Sequence, residues 1–198
     1  MSANPDSLRG ESPHAFVSNV AEIRRRVRDD MQQLCAAADL AHDPDVIVRL
    51  LNAALATELA CVQRYQRYAL MDGKLVADAL KHDFRRRAQE ERAHAERIAA
   101  RITALGGQPL PEALPPSAAG YWPEDEPEAL SDMLAEDLIS ERIAMDTYRE
   151  IMSFLGERDV ATRDLFQALL IAEREHQAEL AILRDSLSGL VRGAGLRN

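Results

Sequence analysis

The 198-residue sequence has few of the residues that characterise a disulfide scaffold or a nucleic-acid-coating protein. Its two cysteines, Cys35 and Cys61, are too few for a disulfide scaffold or a four-thiolate metal site. Basic residues number 24 against 33 acidic ones, and a net charge of −9 argues against coating nucleic acid. No apolar run approaches the roughly 20 residues of a transmembrane helix, and no signal-peptide pattern begins the chain. We expect a cytoplasmic protein without membrane or nucleic-acid partners.

Proline is absent from two long stretches, residues 45–108 and 128–198. Because proline inside a helix costs about 3 kcal/mol, these stretches, rich in Ala, Leu, Glu and Arg, predict long helices. A glycine falls at a plausible turn in each stretch, Gly73 in the first and Gly156 in the second. The breakers therefore predict four helices, near 45–71, 74–105, 128–155 and 159–187.

Loop lengths predict how these helices are arranged. The two short turns force antiparallel pairs, and the long proline-rich connection over 106–127 lets the second pair dock on the first. Such an all-α chain is a four-helix bundle with one long crossover, spanning 45–187. An extension over 1–44 contains one further helix near 17–38, and a short tail occupies 188–198. Alternating β-branched runs, which would favour a β-rich fold, are absent from the sequence.

The apolar face of each bundle helix is interrupted near its middle by one glutamate. Residues three and four apart share a helix face, so these carboxylates are predicted to point inward with the leucines. A buried, unpaired carboxylate costs several kcal/mol, and four together also repel one another. A positive group must therefore lie among the four glutamates, Glu58, Glu91, Glu141 and Glu173.

Two histidines indicate what that group is. The motif Glu-x-x-His occurs at Glu91–His94 and again at Glu173–His176, and its spacing places both side chains on one side of the helix. One Glu on each of two helices plus Glu-x-x-His on the other two is the ligand set of a di-iron carboxylate bundle. The intervals within the two hairpins also match, since Glu58 precedes Glu91 by 33 residues and Glu141 precedes Glu173 by 32. The alternative is an acidic bundle whose glutamates face solvent.

On these motifs the sequence resembles the ferritin-like superfamily, and bacterioferritin in particular. The resemblance covers residues 45–187 and is clearest in Leu51-Asn52 through Glu58-Leu59 to Tyr65, Glu91-x-x-His94, Asp137-Leu138-x-x-Glu141 and Glu173-x-x-His176. It implies a ferritin-like fold holding two iron ions per chain, with manganese as an alternative. It also implies a homo-oligomer built from dimers, for which a 24-chain cage, a 12-chain cage and a simple dimer remain open.

The resemblance also implies a role for each site residue. Glu91 and Glu173 would bridge the two metals. Glu58 and His94 would complete the shell of one metal, and Glu141 and His176 that of the other. Tyr65 matches a tyrosine beside the centre, and Asp137, one turn before Glu141, would orient a ligating histidine.

One departure from the family pattern concerns haem. Bacterioferritin ligates haem through a methionine directly after the bridging glutamate of its second helix, and this chain has Arg92 there. We therefore expect no haem of that type.

The implied function is that of a ferroxidase, which oxidises Fe(II) with O₂ or H₂O₂ for iron storage and detoxification. The alternative is a di-iron or di-manganese peroxidase or catalase that stores no mineral. Hard carboxylate oxygens with one imidazole per metal suit Fe(II) or Mn(II).

A third class is a DNA-protecting protein similar to those of starved cells. Those cages usually place their iron site between subunits, whereas the ligands predicted here come from one bundle. We expect no shift of DNA in a gel at low salt, where electrostatic binding is strongest. A retarded band under those conditions would contradict the expectation.

Overall fold

A computed structural model describes residues 43–71, 78–110 and 130–195 together with Arg25, with side chains up to residue 187. These ranges contain four helices and no strand: α1 (Pro44–Tyr68), α2 (Asp78–Ala104), α3 (Leu130–Leu155) and α4 (Val160–Gly195). The predicted all-α four-helix architecture is confirmed. The helix predicted near 17–38, the turn at Gly73 and the crossover beyond residue 110 lie outside the described residues, apart from Arg25. No helix in the described ranges is long and apolar enough to cross a membrane.

The helices pack as two hairpins. Helix α1 packs mainly against α2, and α3 against α4, while the hairpins meet along α1–α3 and α2–α4. Asn52, early in α1, joins the chain that leaves α2, because its side chain donates to the Gln108 carbonyl at 3.1 Å and accepts from the Leu110 amide at 2.7 Å. The start of α1 therefore lies beside the end of α2, as an antiparallel pair requires.

Local sequence accounts for three of the helix ends. Asp43 caps α1 by accepting a hydrogen bond from the Asp45 amide at 2.9 Å, and Pro44 occupies the first turn. Gly106 and Gly156 follow α2 and α3 with φ of 81° and 54°, the left-handed conformation that glycine adopts without strain. The prediction that the last helix ends near 187 is wrong, since α4 continues to Gly195. A single glycine costs a helix only about 1 kcal/mol, so glycines near a helix end need not stop it.

Two apolar clusters fill the bundle at different depths. The larger one lies toward the start of α1 and includes Leu51, Leu55, Ile98, Ile151 and Phe166, each no more than 3% exposed. The smaller one lies toward the end of α1 and includes Cys61, Tyr65, Tyr68, Phe84 and Met133. On α2 and α3 the glutamate falls between residues of the two clusters. On α1 it lies close to where the larger cluster meets the smaller one, and on α4 it borders the larger cluster. The fold therefore covers a polar layer with apolar side chains on both sides.

Ile98, which is fully buried in the larger cluster, gives a graded test of this core. We expect Ile98→Ala to lower the free energy of unfolding by about 2–5 kcal/mol and Ile98→Val by about 0.5–1.5 kcal/mol, because each leaves a cavity scaled to the atoms removed. Urea unfolding followed by circular dichroism at matched protein concentration measures both. Wild-type stability in the alanine variant would show that Ile98 is not a core residue.

Candidate metal centre

All six predicted ligands lie in the layer between the two apolar clusters. Each helix contributes one glutamate that is 1–2% exposed, and the two histidines are each 6% exposed. Their depth follows from helical spacing, because each glutamate lies one turn from leucine or alanine side chains of the core. The structure thus brings together all six residues: Glu58, Glu91, His94, Glu141, Glu173 and His176.

The first group of ligand atoms surrounds His94. Its Nδ1 lies 2.9 Å from Glu173 Oε1, 3.4 Å from Glu91 Oε2 and 3.5 Å from Glu58 Oε2. One atom from each of these four residues lies within 4.8 Å of all the others. The group therefore draws donors from α1, α2 and α4 toward one point.

The second group surrounds His176. Its Nδ1 lies 3.2 Å from Glu91 Oε1 and 3.2 Å from Glu173 Oε2. With Glu141 these residues form another set of four whose donor atoms lie within 4.8 Å of one another. Glu91 and Glu173 belong to both groups, each through a different carboxylate oxygen. The two histidine rings are nearly parallel, with centroids 5.8 Å apart.

The carboxylate and imidazole atoms of the two groups are better arranged to bind two cations than to form hydrogen bonds with one another. Glu58 Oε2, Glu91 Oε1, Glu173 Oε1 and His94 Nδ1 are all buried, and none has a hydrogen bond of good geometry despite the short distances. Buried polar atoms normally have hydrogen-bond partners. A cluster of such atoms that lack partners and point toward common centres therefore indicates a binding site. Carboxylate oxygens and imidazole nitrogens are suitable ligands for Fe(II) and Mn(II). The residues present therefore fit two such ions.

Without metal, the histidines supply the positive charge. Burial acts to lower the pKa of His94, but the surrounding carboxylates Glu173, Glu58 and Glu91 outweigh it and raise that pKa to about 12. The same balance, with Glu173 and Glu91, raises the pKa of His176 to about 9. Both imidazoles are thus held protonated at neutral pH in the metal-free protein, where they take part of the role that cations would have.

The carboxylates divide into two pairs by their surroundings. Burial raises the pKa of Glu58 and of Glu141 well above the ordinary value. Burial opposes ionisation of Glu91 and Glu173 as well, but the close contacts with the two histidines outweigh it and lower the pKa of both groups. The two carboxylates shared by both groups are therefore the ones held ionised between the two imidazoles.

The predicted tyrosine lies against the centre. Tyr65 is fully buried, and its hydroxyl donates a hydrogen bond to Glu141 Oε1 at 2.9 Å. Burial, with the Glu141 carboxylate as the next cause, raises the pKa of this phenol, which keeps it protonated and able to donate. Tyr148 lies seven residues after Glu141, as Tyr65 lies seven after Glu58. It instead packs on Phe166, and its hydroxyl has no hydrogen-bond partner among the described residues.

Asp137 is not placed as predicted. Its carboxylate lies 2.8 Å from Arg64 Nη2 and, within the described part of the chain, forms no ion pair with either histidine. Arg64, which is 1% exposed, also donates to Ser140 Oγ at 2.9 Å. Position 137 lies one turn before Glu141 but turns toward α1, so its partner is an arginine there. The expected contact to a ligating histidine is wrong, and Asp137 belongs to a buried ion pair that joins α1 to α3.

Glu90 also contacts the centre, although it is not among the residues predicted from the sequence. Its Oε2 lies 3.3 Å from His176 Nε2, on the side of the ring away from the centre. The spacing of Arg86 and Glu90 on α2 is the i,i+4 pairing of a helix surface and was visible in the sequence. Its approach to a histidine on α4 depends on how the two helices pack.

Comparison with known proteins agrees with this architecture. A family model described as a ferritin-like domain matches residues 48–189. The chain belongs to the ferritin-like family. Bacterioferritin of Rhodobacter capsulatus is 31% identical over 132 residues, which cover 66% of this chain and 77% of that protein. The DNA protection during starvation protein of Pyrococcus furiosus is 32% identical over 142 residues, which cover 69% and 75% of the two chains.

A solved structure resembles this ferritin-like chain as well. The R. capsulatus bacterioferritin structure, described as having a metal-free dinuclear site and a haem iron, superimposes with a TM-score of 0.64. It is 27% identical and covers 73% of this chain and 86% of that one. The predicted ferritin-like fold and the similarity to bacterioferritin are therefore confirmed.

The stability of the metal-free protein is expected to depend on the protonation of His176. Its pKa is raised from about 6.5 in the unfolded chain to about 9. The stabilisation is therefore fully present below pH 6.5 and is lost as the pH rises through 9. Thermal unfolding in chelator should show a falling melting temperature across this window. His176→Gln should flatten the fall, while His82→Gln, at an exposed site on α2, should not. An equal slope in all three proteins would contradict the assignment.

Proposed function

We propose that this protein is a ferroxidase, which oxidises Fe(II) with O₂ or H₂O₂ for iron storage and detoxification. The observation that carries the proposal is the pair of buried donor groups that share Glu91 and Glu173. Two sites joined by common carboxylates hold two ions close enough to act on one oxidant. Membership of the ferritin-like family supports the same conclusion.

The proposed ligands divide as the resemblance implied. Glu58 and His94 would hold one Fe(II), Glu141 and His176 the other, and Glu91 and Glu173 would bridge them. Four carboxylates offset the four positive charges of two Fe(II) ions, so the loaded layer is close to neutral. When iron is absent, protonated His94 and His176 offset part of that charge. Metal loading would therefore release protons from the histidines.

The chemistry needs two electrons per oxidant molecule. Each Fe(II) substrate gives up one electron, and the pair together reduces O₂ to H₂O₂ or H₂O₂ to water. The protein contributes binding and orientation. The Tyr65 hydroxyl holds Glu141 Oε1, and the apolar clusters on both sides limit the access of water. We assign Tyr65 to the site. Asp137 would support the site indirectly, through its ion pair with Arg64.

The alternative is a redox enzyme that keeps its di-iron or di-manganese pair and stores no mineral, as a peroxidase or catalase does. The enclosure of the centre between two apolar clusters favours this possibility, since an enclosed pair exchanges slowly. Aerobic addition of excess Fe(II) separates the two functions. We expect soluble protein to retain far more than two irons per chain. A ceiling at two irons per chain would favour the resident-metal enzyme.

We further propose a homo-oligomer built from dimers, with the 12-chain and 24-chain cages of the family as candidates. Light scattering measures the mass directly.

We also propose that the protein binds no haem through the family's methionine position, because Arg92 stands there and is exposed on α2. A Soret band after reconstitution with haem, lost in Arg92→Ala, would contradict this.

Replacement of Glu91 tests the ligand assignment. We expect Glu91→Ala to lose binding of the metal pair while the metal-free protein still folds, because Glu173 remains beside both protonated histidines. Elemental analysis after Fe(II) or Mn(II) loading measures the first effect, and thermal unfolding in chelator measures the second.

The matched control is Glu96→Ala, at an exposed glutamate on the same helix, which should bind two metals per chain and melt like wild type. A Glu91→Ala protein that still binds two metals per chain would contradict the assignment.

A further inference from the structure

Glu90 is a partly exposed carboxylate that contacts one of the six proposed ligands from outside. Its Oε2 lies 3.3 Å from His176 Nε2. The other ring nitrogen, Nδ1, faces the centre at 3.2 Å from Glu91 and Glu173. The imidazole of His176 is therefore held between an outer carboxylate and the inner layer.

A salt-bridge cluster fixes Glu90 in this place. Arg86 Nη1 lies 2.9 Å from Glu90 Oε1 and 3.1 Å from Oε2, so it contacts both carboxylate oxygens. The same guanidinium reaches Glu179 on α4 at 2.9 Å, and Arg87 reaches Glu179 at 3.0 Å. Glu90 is thus anchored across the α2–α4 boundary, and its carboxylate is preorganised beside the histidine.

We propose that Glu90 is a positioning residue for His176. From its ion-pair distance of 3.3 Å, Glu90 would accept a hydrogen bond from Nε2–H when metal binds, and so present the Nδ1 lone pair to the metal centre. This inference rests on the proposed function. A neutral imidazole carries its proton on one nitrogen only, and a carboxylate at Nε2 favours the tautomer in which Nδ1 is free to bind. Metal-ligating histidines commonly depend on such a partner, and its loss typically weakens metal binding 10–100-fold.

The two histidines differ in this respect. Within the described residues no side chain forms a hydrogen bond or an ion pair with His94 Nε2, and the contacts of His94 with the three carboxylates all run through Nδ1. The effect of Glu90 should therefore be confined to the metal position that His176 and Glu141 form. Loss of Glu90 is therefore expected to lower the affinity of one metal position and to leave the affinity of the other unchanged.

Anaerobic titration of the full-length protein with Co(II), followed by its visible absorption, tests the proposal without measuring activity. Wild type should bind two Co(II) per chain. Glu90→Ala should bind one with unchanged affinity and the other about 10–100-fold more weakly. Glu90→Gln keeps an acceptor oxygen at the same distance and should recover most of that loss. Glu96→Ala should behave as wild type, and matching circular dichroism melts should show that all variants fold.

Three results would overturn the inference. If Glu90→Ala bound both metals with the same affinities as wild type, His176 would need no outer partner. A Glu90→Gln variant as weak as Glu90→Ala would show that the negative charge matters and not the hydrogen bond. Absence of Co(II) binding in wild type and in Glu96→Ala would overturn the proposed metal centre itself, and the positioning role with it. Loss confined to Glu90→Ala leaves the metal centre standing.

Discussion

Burial of four carboxylates in one layer of a helical bundle is the constraint on which the rest of this structure depends. Glu58, Glu91, Glu141 and Glu173 are each no more than 2% exposed. Their mutual repulsion and their loss of hydration oppose folding unless positive charge lies among them. In the metal-free protein the imidazoles of His94 and His176 provide part of that charge. Two divalent cations would provide all of it, and the unsatisfied donor atoms converge where they would lie.

The surrounding structure can be understood as support for this layer. Apolar clusters on either side exclude water, which strengthens the electrostatic interactions inside. The buried Arg64–Asp137 pair joins α1 to α3 beside the layer. It adds no net charge there, since its two charges offset each other. On the other face, Arg86 and Glu179 tie α2 to α4 next to His176. The helices are therefore cross-linked by polar contacts that do not depend on metal.

The sequence predicted what helical periodicity and chain breakers encode. Residues three and four apart share a face, so the inward direction of Glu58 and His94 followed from spacing alone. The two hairpins followed from the short turns. What the sequence did not reveal depends on packing between helices. The partner of Asp137 is Arg64 on another helix, and the contact of Glu90 with His176 joins α2 to α4. The end of α4 was missed because isolated glycines weaken a helix without ending it.

Anomalous diffraction at the iron edge, on crystals grown from protein loaded with Fe(II) without oxygen, tests the central claim most directly. The account predicts two peaks per chain, about 3.5–4 Å apart, with Glu91 and Glu173 touching both. A chain with no peak inside the bundle, or with these glutamates turned toward bulk solvent, would contradict it.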